Sequence, residues 1–232
     1  PPMISGPANV CVGSVIALTD SGGGVWSATG GLLTVGSVSG FATGVATGIA
    51  NITYTISSGC YRTTHVMVNP LPSGITGLSV LCVGATISLS DITTGGAWSS
   101  SMTTVAGVGS LTGLVTGVTT GVADIQYTLP TGCSVSKPVT VSVSPGPISG
   151  VYIFCTGTTT AFSDLVTGGV WTSSNPAVAT IGSASGVASG LSSGVTTISY
   201  SLGTGCIVTR PVTVNPGPMA ISGAGGICIG AS

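Results

Sequence analysis

Charge is what this sequence has least of. Asp, Glu, Lys and Arg together make up 3% of its 232 residues and the net charge is −1, against about 25% charged residues in an ordinary soluble domain. Glutamate is missing altogether and histidine occurs once, at His65. With no basic patch to neutralise phosphates, nucleic acid and anionic lipid are excluded as partners. With no convergent carboxylates, histidines or activated nucleophile, acid–base and covalent catalysis have no basis either. The chain reads as a non-enzyme with no cofactor. Long apolar runs are missing too: each is broken by Ser, Thr, Gly or Pro well short of the ~18 residues of a membrane-crossing helix. Disorder does not follow, because 43% of residues are hydrophobic and mean hydropathy is +0.72, which favours an ordered chain.

Helical periodicity is nowhere sustained. Glycines spaced by four, at Gly40, Gly44 and Gly48 and again at Gly113, Gly117, Gly121 and Gly186, Gly190, Gly194, imitate a helix-packing pattern. The Val, Thr and Ile around them favour strands instead.

What is present is repetition. The stretch "VCVGSVIAL" at Val10 returns as "LCVGATISL" at Leu81 and "FCTGTTTAF" at Phe154, and "ICIGAS" at Ile227 closes the sequence. Cysteines fall into two classes with a period of about 73 residues: Cys11, Cys82, Cys155 and Cys228 in one, Cys60, Cys133 and Cys206 in the other. Trp26, Trp98 and Trp171, Tyr54, Tyr127 and Tyr200, Asp20, Asp91 and Asp164, and the Pro-x-Pro links at Pro70, Pro145 and Pro216 keep the same period. Three repeats, 1–70, 71–145 and 146–216, are followed by the first strand of a fourth at 217–232. The sequence lacks an initiating Met and stops inside a motif, as a window cut from a longer protein would, so a missing targeting segment says little.

Within each repeat the hydrophobic period is two, as in "ADIQYTL" (Ala123 to Leu129), with glycine-rich turns every eight to twelve residues. That pattern predicts an all-β fold of sandwiches. Seven strands fit each repeat: A ending at the first-class cysteine, B after the following glycine, C around the Trp, D at "VATIG", E at "GVASG", F through the Tyr and G up to the Pro-x-Pro. The tryptophans and tyrosines are expected in the core. An Asx-type turn after strand B accounts for the aspartates.

The run "WTSSNPAVATIGSASGVASGLSSGVTTISYS", Trp171 to Ser201, resembles the bacterial immunoglobulin-like repeat of the Big-2 type, found in invasin- and intimin-like adhesins and other bacterial surface proteins. The resemblance extends over all three repeats and is clearest in the third. It implies tandem immunoglobulin-like seven-stranded β-sandwiches on the outside of a bacterium, serving as stalk, spacer or adhesive module. The regular cysteines and the near absence of charge depart from a simple spacer.

An oxidising exterior favours disulfides. Zinc is disfavoured, because its ligands cluster at short spacing whereas these cysteines lie 22 or about 50 residues apart. In immunoglobulin topology the A–B turn lies at the downstream pole of a sandwich and the F–G turn at its upstream pole. Roughly 20 Å of strand then separates the two cysteines of one repeat, against the roughly 4.4 to 6.8 Å between α-carbons that a disulfide tolerates. The downstream pole of one repeat does meet the upstream pole of the next. The expected bridges are therefore Cys11 with Cys133 and Cys82 with Cys206, while Cys60, Cys155 and Cys228 pair with repeats outside the sequence. Pairing within a repeat, such as Cys82 with Cys133, and cross-links between chains stay open as alternatives.

With so little charge to keep copies apart, self-association of neighbouring repeats or copies is expected. Pro138 and Pro211 and the shortness of the strands blunt open sheet edges. "NIT" at Asn51 is an N-glycosylation sequon, and the hydroxyl-rich faces offer sites for O-linked sugars, so glycan modification is a further expectation. Calcium bridging would need several carboxylates, where each junction musters one or two. The leading function is a structural component of an extracellular bacterial filament or stalk. The alternative is an adhesin whose repeats bind or present a site for a host or glycan ligand. Residues 217–232 could supply a strand to a neighbouring subunit.

Overall fold

Alternating apolar residues make strands here, and the glycine-rich segments between them make turns. A computed structural model describes residues 3–218, and among these residues there is no helix. The 217–232 strand expected from sequence falls almost wholly outside the described residues. Twenty-one strands form three sets of seven.

In the first set, strands A to G are β1 (Asn9–Cys11), β2 (Val15–Ala17), β3 (Val25–Thr29), β4 (Leu33–Val35), β5 (Phe41–Gly44), β6 (Gly48–Thr55) and β7 (Tyr61–Asn69). The second set is β8 (Val80–Cys82), β9 (Thr86–Ser88), β10 (Ala97–Ser100), β11 (Ala106–Val108), β12 (Leu114–Gly117), β13 (Gly121–Thr128) and β14 (Ser134–Ser142). The third is β15 (Ile153–Cys155), β16 (Thr159–Ala161), β17 (Val170–Ser173), β18 (Ala179–Ile181), β19 (Val187–Gly190), β20 (Gly194–Ser201) and β21 (Ile207–Asn215). Each set builds one sheet in the order A-G-F-C and a second in the order B-E-D. The fold is all-β, a tandem of seven-stranded immunoglobulin-like sandwiches. The chain divides into two compact units, residues 1–141 and 142–232; the first carries two sandwiches and the second carries one.

Strand lengths within each set are uneven. Strands A to E run three to five residues, whereas F and G run eight or nine. The difference follows from burial. F is central in its sheet and carries every second side chain into the core, so Ile52, Ile125 and Ile198 are fully buried, as are Val66, Val139 and Val212 on G. Around them lie Trp26 against Tyr54, Trp98 against Tyr127 and Trp171 against Tyr200, with ring centroids 4.6, 4.7 and 4.5 Å apart. Tilted aromatic contacts of this kind add about 0.5 to 1.5 kcal/mol each beyond the area they bury.

The leading segment of each repeat changes sheets. Ser5, Thr76 and Ser149 bridge the residues after strand B, at Thr19, Ser90 and Ser163. The chain then crosses to lie parallel to the end of strand G, where Asn9 to Cys11 pair with Met67 to Asn69 and Ile153 to Cys155 with Thr213 to Asn215. The crossing is made at Gly6, Gly77 and Gly150, with φ of 143°, 113° and 143°. A Cβ on Gly6 would sit 2.8 Å from the Ala17 carbonyl oxygen and from Leu18, so no larger residue fits without displacing strand B.

Candidate functional site

Both cysteine classes are set by turns that repeat almost atom for atom. At the A–B turn, Ser14, Ala85 and Thr158 donate their backbone N–H to the carbonyls of Cys11, Cys82 and Cys155 at 3.0, 2.9 and 3.2 Å. The middle glycine of each four-spaced set serves this turn. A Cβ on Gly44, Gly117 or Gly190 would lie 2.7 to 2.8 Å from the carbonyl oxygen of Cys11, Cys82 or Cys155. The spacing that imitates helix packing is therefore strand E making room for the cysteine.

At the F–G turn, Ile56, Leu129 and Leu202 donate to the carbonyls of Cys60, Cys133 and Cys206 at 3.0, 2.9 and 2.9 Å, and Gly59, Gly132 and Gly205 close the hairpin back to the same three residues. Cys11 is level with Asn69, where strand G of its sandwich ends. Cys133 stands just before Ser134, where strand G of the second sandwich begins.

Within the first unit these two positions are joined. Cys11 and Cys133 form a disulfide with α-carbons 5.6 Å apart, closing 122 residues of sequence. The bridge links the downstream end of the first sandwich to the upstream end of the second. In the chain-entropy treatment a loop of this length contributes about 4 to 5 kcal/mol. Cys133 is 1% exposed. Cys82 and Cys206 are each disulfide-bonded. Cys60, exposed, and Cys155, half-buried, are free thiols among the described residues, and Cys228 lies outside them.

The other residues singled out by the sequence occupy structural positions. Asn51 is exposed in the middle of β6, level with Thr29 on one side and His65 on the other. His65 is exposed on β7. Asp20, Asp91 and Asp164 accept backbone N–H groups two residues on, from Gly22, Thr93 and Val166, each at 2.8 Å. Their second carboxyl oxygens are buried without a hydrogen-bond partner among the described residues, a feature that no sequence signal announces. The tyrosine hydroxyls pin the neighbouring B–C loop: Tyr127 accepts from Gly96 at 2.9 Å and donates to the Thr93 carbonyl at 2.7 Å, and Tyr200 does the same with Gly169 and Val166. Among the described residues no group of three or more His, Cys, Asp or Glu could hold a metal.

Comparison with family profiles and with curated protein sequences returns no match. Solved structures do match. The surface layer protein SbsC, domains 1–6, is 17% identical, with 94% of this chain aligned to 41% of that one at a TM-score of 0.28. The C-terminal fragment of intimin, solved with the intimin-binding domain of its translocated receptor, is 17% identical over 62% of this chain and 64% of that one, with a TM-score of 0.43. Invasin, a bacterial integrin-binding protein, is 12% identical over 92% and 58%, with a TM-score of 0.42. The chain spans less than two thirds of the length of each. At such identities and scores the similarity says nothing about what this chain binds.

Proposed function

We propose that this chain is a structural segment of an extracellular bacterial stalk or filament, in which each sandwich is stapled to the next by a disulfide. The observation that carries the reading is the Cys11–Cys133 bridge between consecutive sandwiches. Small contacts between domains normally permit swivelling about a Pro-x-Pro link; a covalent bridge beside that link removes the freedom. The same bridge repeats as Cys82 with Cys206, and Cys60, Cys155 and Cys228 serve the junctions beyond. An outside location fits, since disulfides of this kind persist only where the surroundings are oxidising. The role is mechanical, with no catalysis and no cofactor.

Peptide mapping under non-reducing conditions tests the stapling. Peptides joining Cys11 to Cys133 and Cys82 to Cys206 are expected, and a peptide joining Cys82 to Cys133 overturns the proposal while leaving the sandwiches intact. Negative-stain imaging of the native assembly separates the two functional classes. Long uniform fibres are expected; short single particles with affinity for a receptor or glycan would assign an adhesin instead.

A further inference from the structure

Strand G carries a proline on its outer edge in the second and third sandwiches and a histidine in the first. The direction of its backbone groups follows from its bonds to the leading segment: Met67, Thr140 and Thr213 donate outward to the carbonyls of Ala8, Ser79 and Tyr152, each at 2.8 Å. Backbone groups two residues apart on a strand point the same way. The position two before each of these is therefore outward-facing as well, and it is occupied by His65, Pro138 and Pro211, each five residues after its cysteine.

Proline offers no N–H at an edge, and a cation beside it discourages pairing further. Both devices are present in the later sandwiches. Lys137 reaches across to the Ile75 carbonyl at 3.5 Å, and the Arg210 guanidinium lies 4.0 Å over the Tyr152 ring. The first sandwich has Thr64 and His65 at the corresponding positions. Its leading segment, like that of the third sandwich, covers only the last three residues of strand G, Met67 to Asn69. Tyr61, Thr63 and His65 are exposed, Tyr61 at 66%, and their outward N–H groups find no partner among the described residues.

We propose that this edge, Tyr61 to His65, is a self-association site at which strand G of the first sandwich pairs antiparallel with the same strand of a second copy. The occupant follows from self-complementarity. A two-fold axis through Thr63 sets Tyr61 against His65 of the other copy and Thr63 against Thr63, so all three outward positions fall in hydrogen-bonded pairs. Arg62 then faces Thr64, and no like charges oppose each other. A net charge of −1 adds no repulsion at longer range. The pairing is isologous and closes as a dimer. It goes beyond the stapling reading and uses no cysteine.

The test uses the full chain carrying Cys60→Ser, which removes thiol coupling next to the edge, followed by sedimentation velocity up to about 100 µM, a range that reveals micromolar association. A concentration-dependent dimer is expected. Adding His65→Pro, the residue that β14 and β21 already carry, should weaken the dimer at least about tenfold, since each copy loses a donor at a paired position, with unchanged circular dichroism. Thr63→Cys in the same Cys60→Ser background should give a covalent dimer on air oxidation, because hydrogen-bonded antiparallel pairs hold their α-carbons about 5.5 Å apart; Tyr61→Cys should not. A chain monomeric throughout, association indifferent to His65→Pro, or association lost on deleting 219–232 would each overturn the proposal, the last by assigning the contact to the C-terminal segment.

Discussion

The F–G turns of the first and second sandwiches share one backbone and differ in what becomes of their cysteine. Ile56 and Leu129 close the two hairpins onto Cys60 and Cys133 with carbonyl bonds of 3.0 and 2.9 Å, yet Cys60 is an exposed free thiol and Cys133 is 1% exposed in a bridge to Cys11. Local folding positions the sulfur. A preceding sandwich decides whether it is used. The turn is thus a connector whose chemistry is completed only by its neighbour, whereas the edge of β7 differs from those of β14 and β21 through its own residues, His65 in place of Pro138 and Pro211.

The largest test of this contrast is to cut the bridge. Cys133→Ser should lower the stability of the first unit by about 4 to 5 kcal/mol in the chain-entropy treatment, read by urea unfolding through Trp26 and Trp98 fluorescence, while Cys60→Ser should leave it unchanged. Next, the two sandwiches should respond alike wherever the neighbour plays no part. Ile52→Ala and Ile125→Ala, both at fully buried positions of strand F, should each cost about 2 to 5 kcal/mol, and unequal losses in the same unfolding measurement would show that the cores are not equivalent. Tyr127→Phe should cost about 1 to 3 kcal/mol, since it leaves the Gly96 N–H and the Thr93 carbonyl without their partner; thermal unfolding checks it. The smallest effect is chemical: iodoacetamide should modify Cys60 in the native protein and spare Cys133 until the bridge is reduced, with a stability change under about 0.5 kcal/mol on labelling Cys60.

Much of the sandwich was legible because its signals are local. Alternation through "ADIQYTL" marks strand F, a glycine-bounded tryptophan marks strand C, and the cysteine marks the end of strand A. The change of sheet by the leading segment was not legible: a single bridge at Ser5 and three paired residues at Asn9 to Cys11 are too short for a period of two to register. The uneven strand lengths escaped for a related reason, since burial of F and G depends on the facing sheet rather than on their own composition. At the cysteines the turns were legible from glycine placement. The requirement for Gly44, Gly117 and Gly190 against the cysteine carbonyls was not, because that contact joins residues more than thirty apart in sequence. The uneven protection of strand G was visible in part, in Pro138 and Pro211; the crossing of Lys137 and Arg210 onto the leading segment needed three dimensions.

Parallel pairing of strand A with the end of strand G has a mechanical corollary. Tension along such an array enters each sandwich through the start of A and leaves through the end of G, which pulls the two strands past each other in opposite directions. Their hydrogen bonds are then loaded together in shear, instead of being peeled one at a time as in a hairpin opened from its free ends. In the first sandwich Asn9 to Cys11 carry that shear only when the Cys11–Cys133 bridge is reduced; with the bridge closed, the covalent path passes the load from the end of strand A straight to the start of strand G of the second sandwich and shields the loop between them.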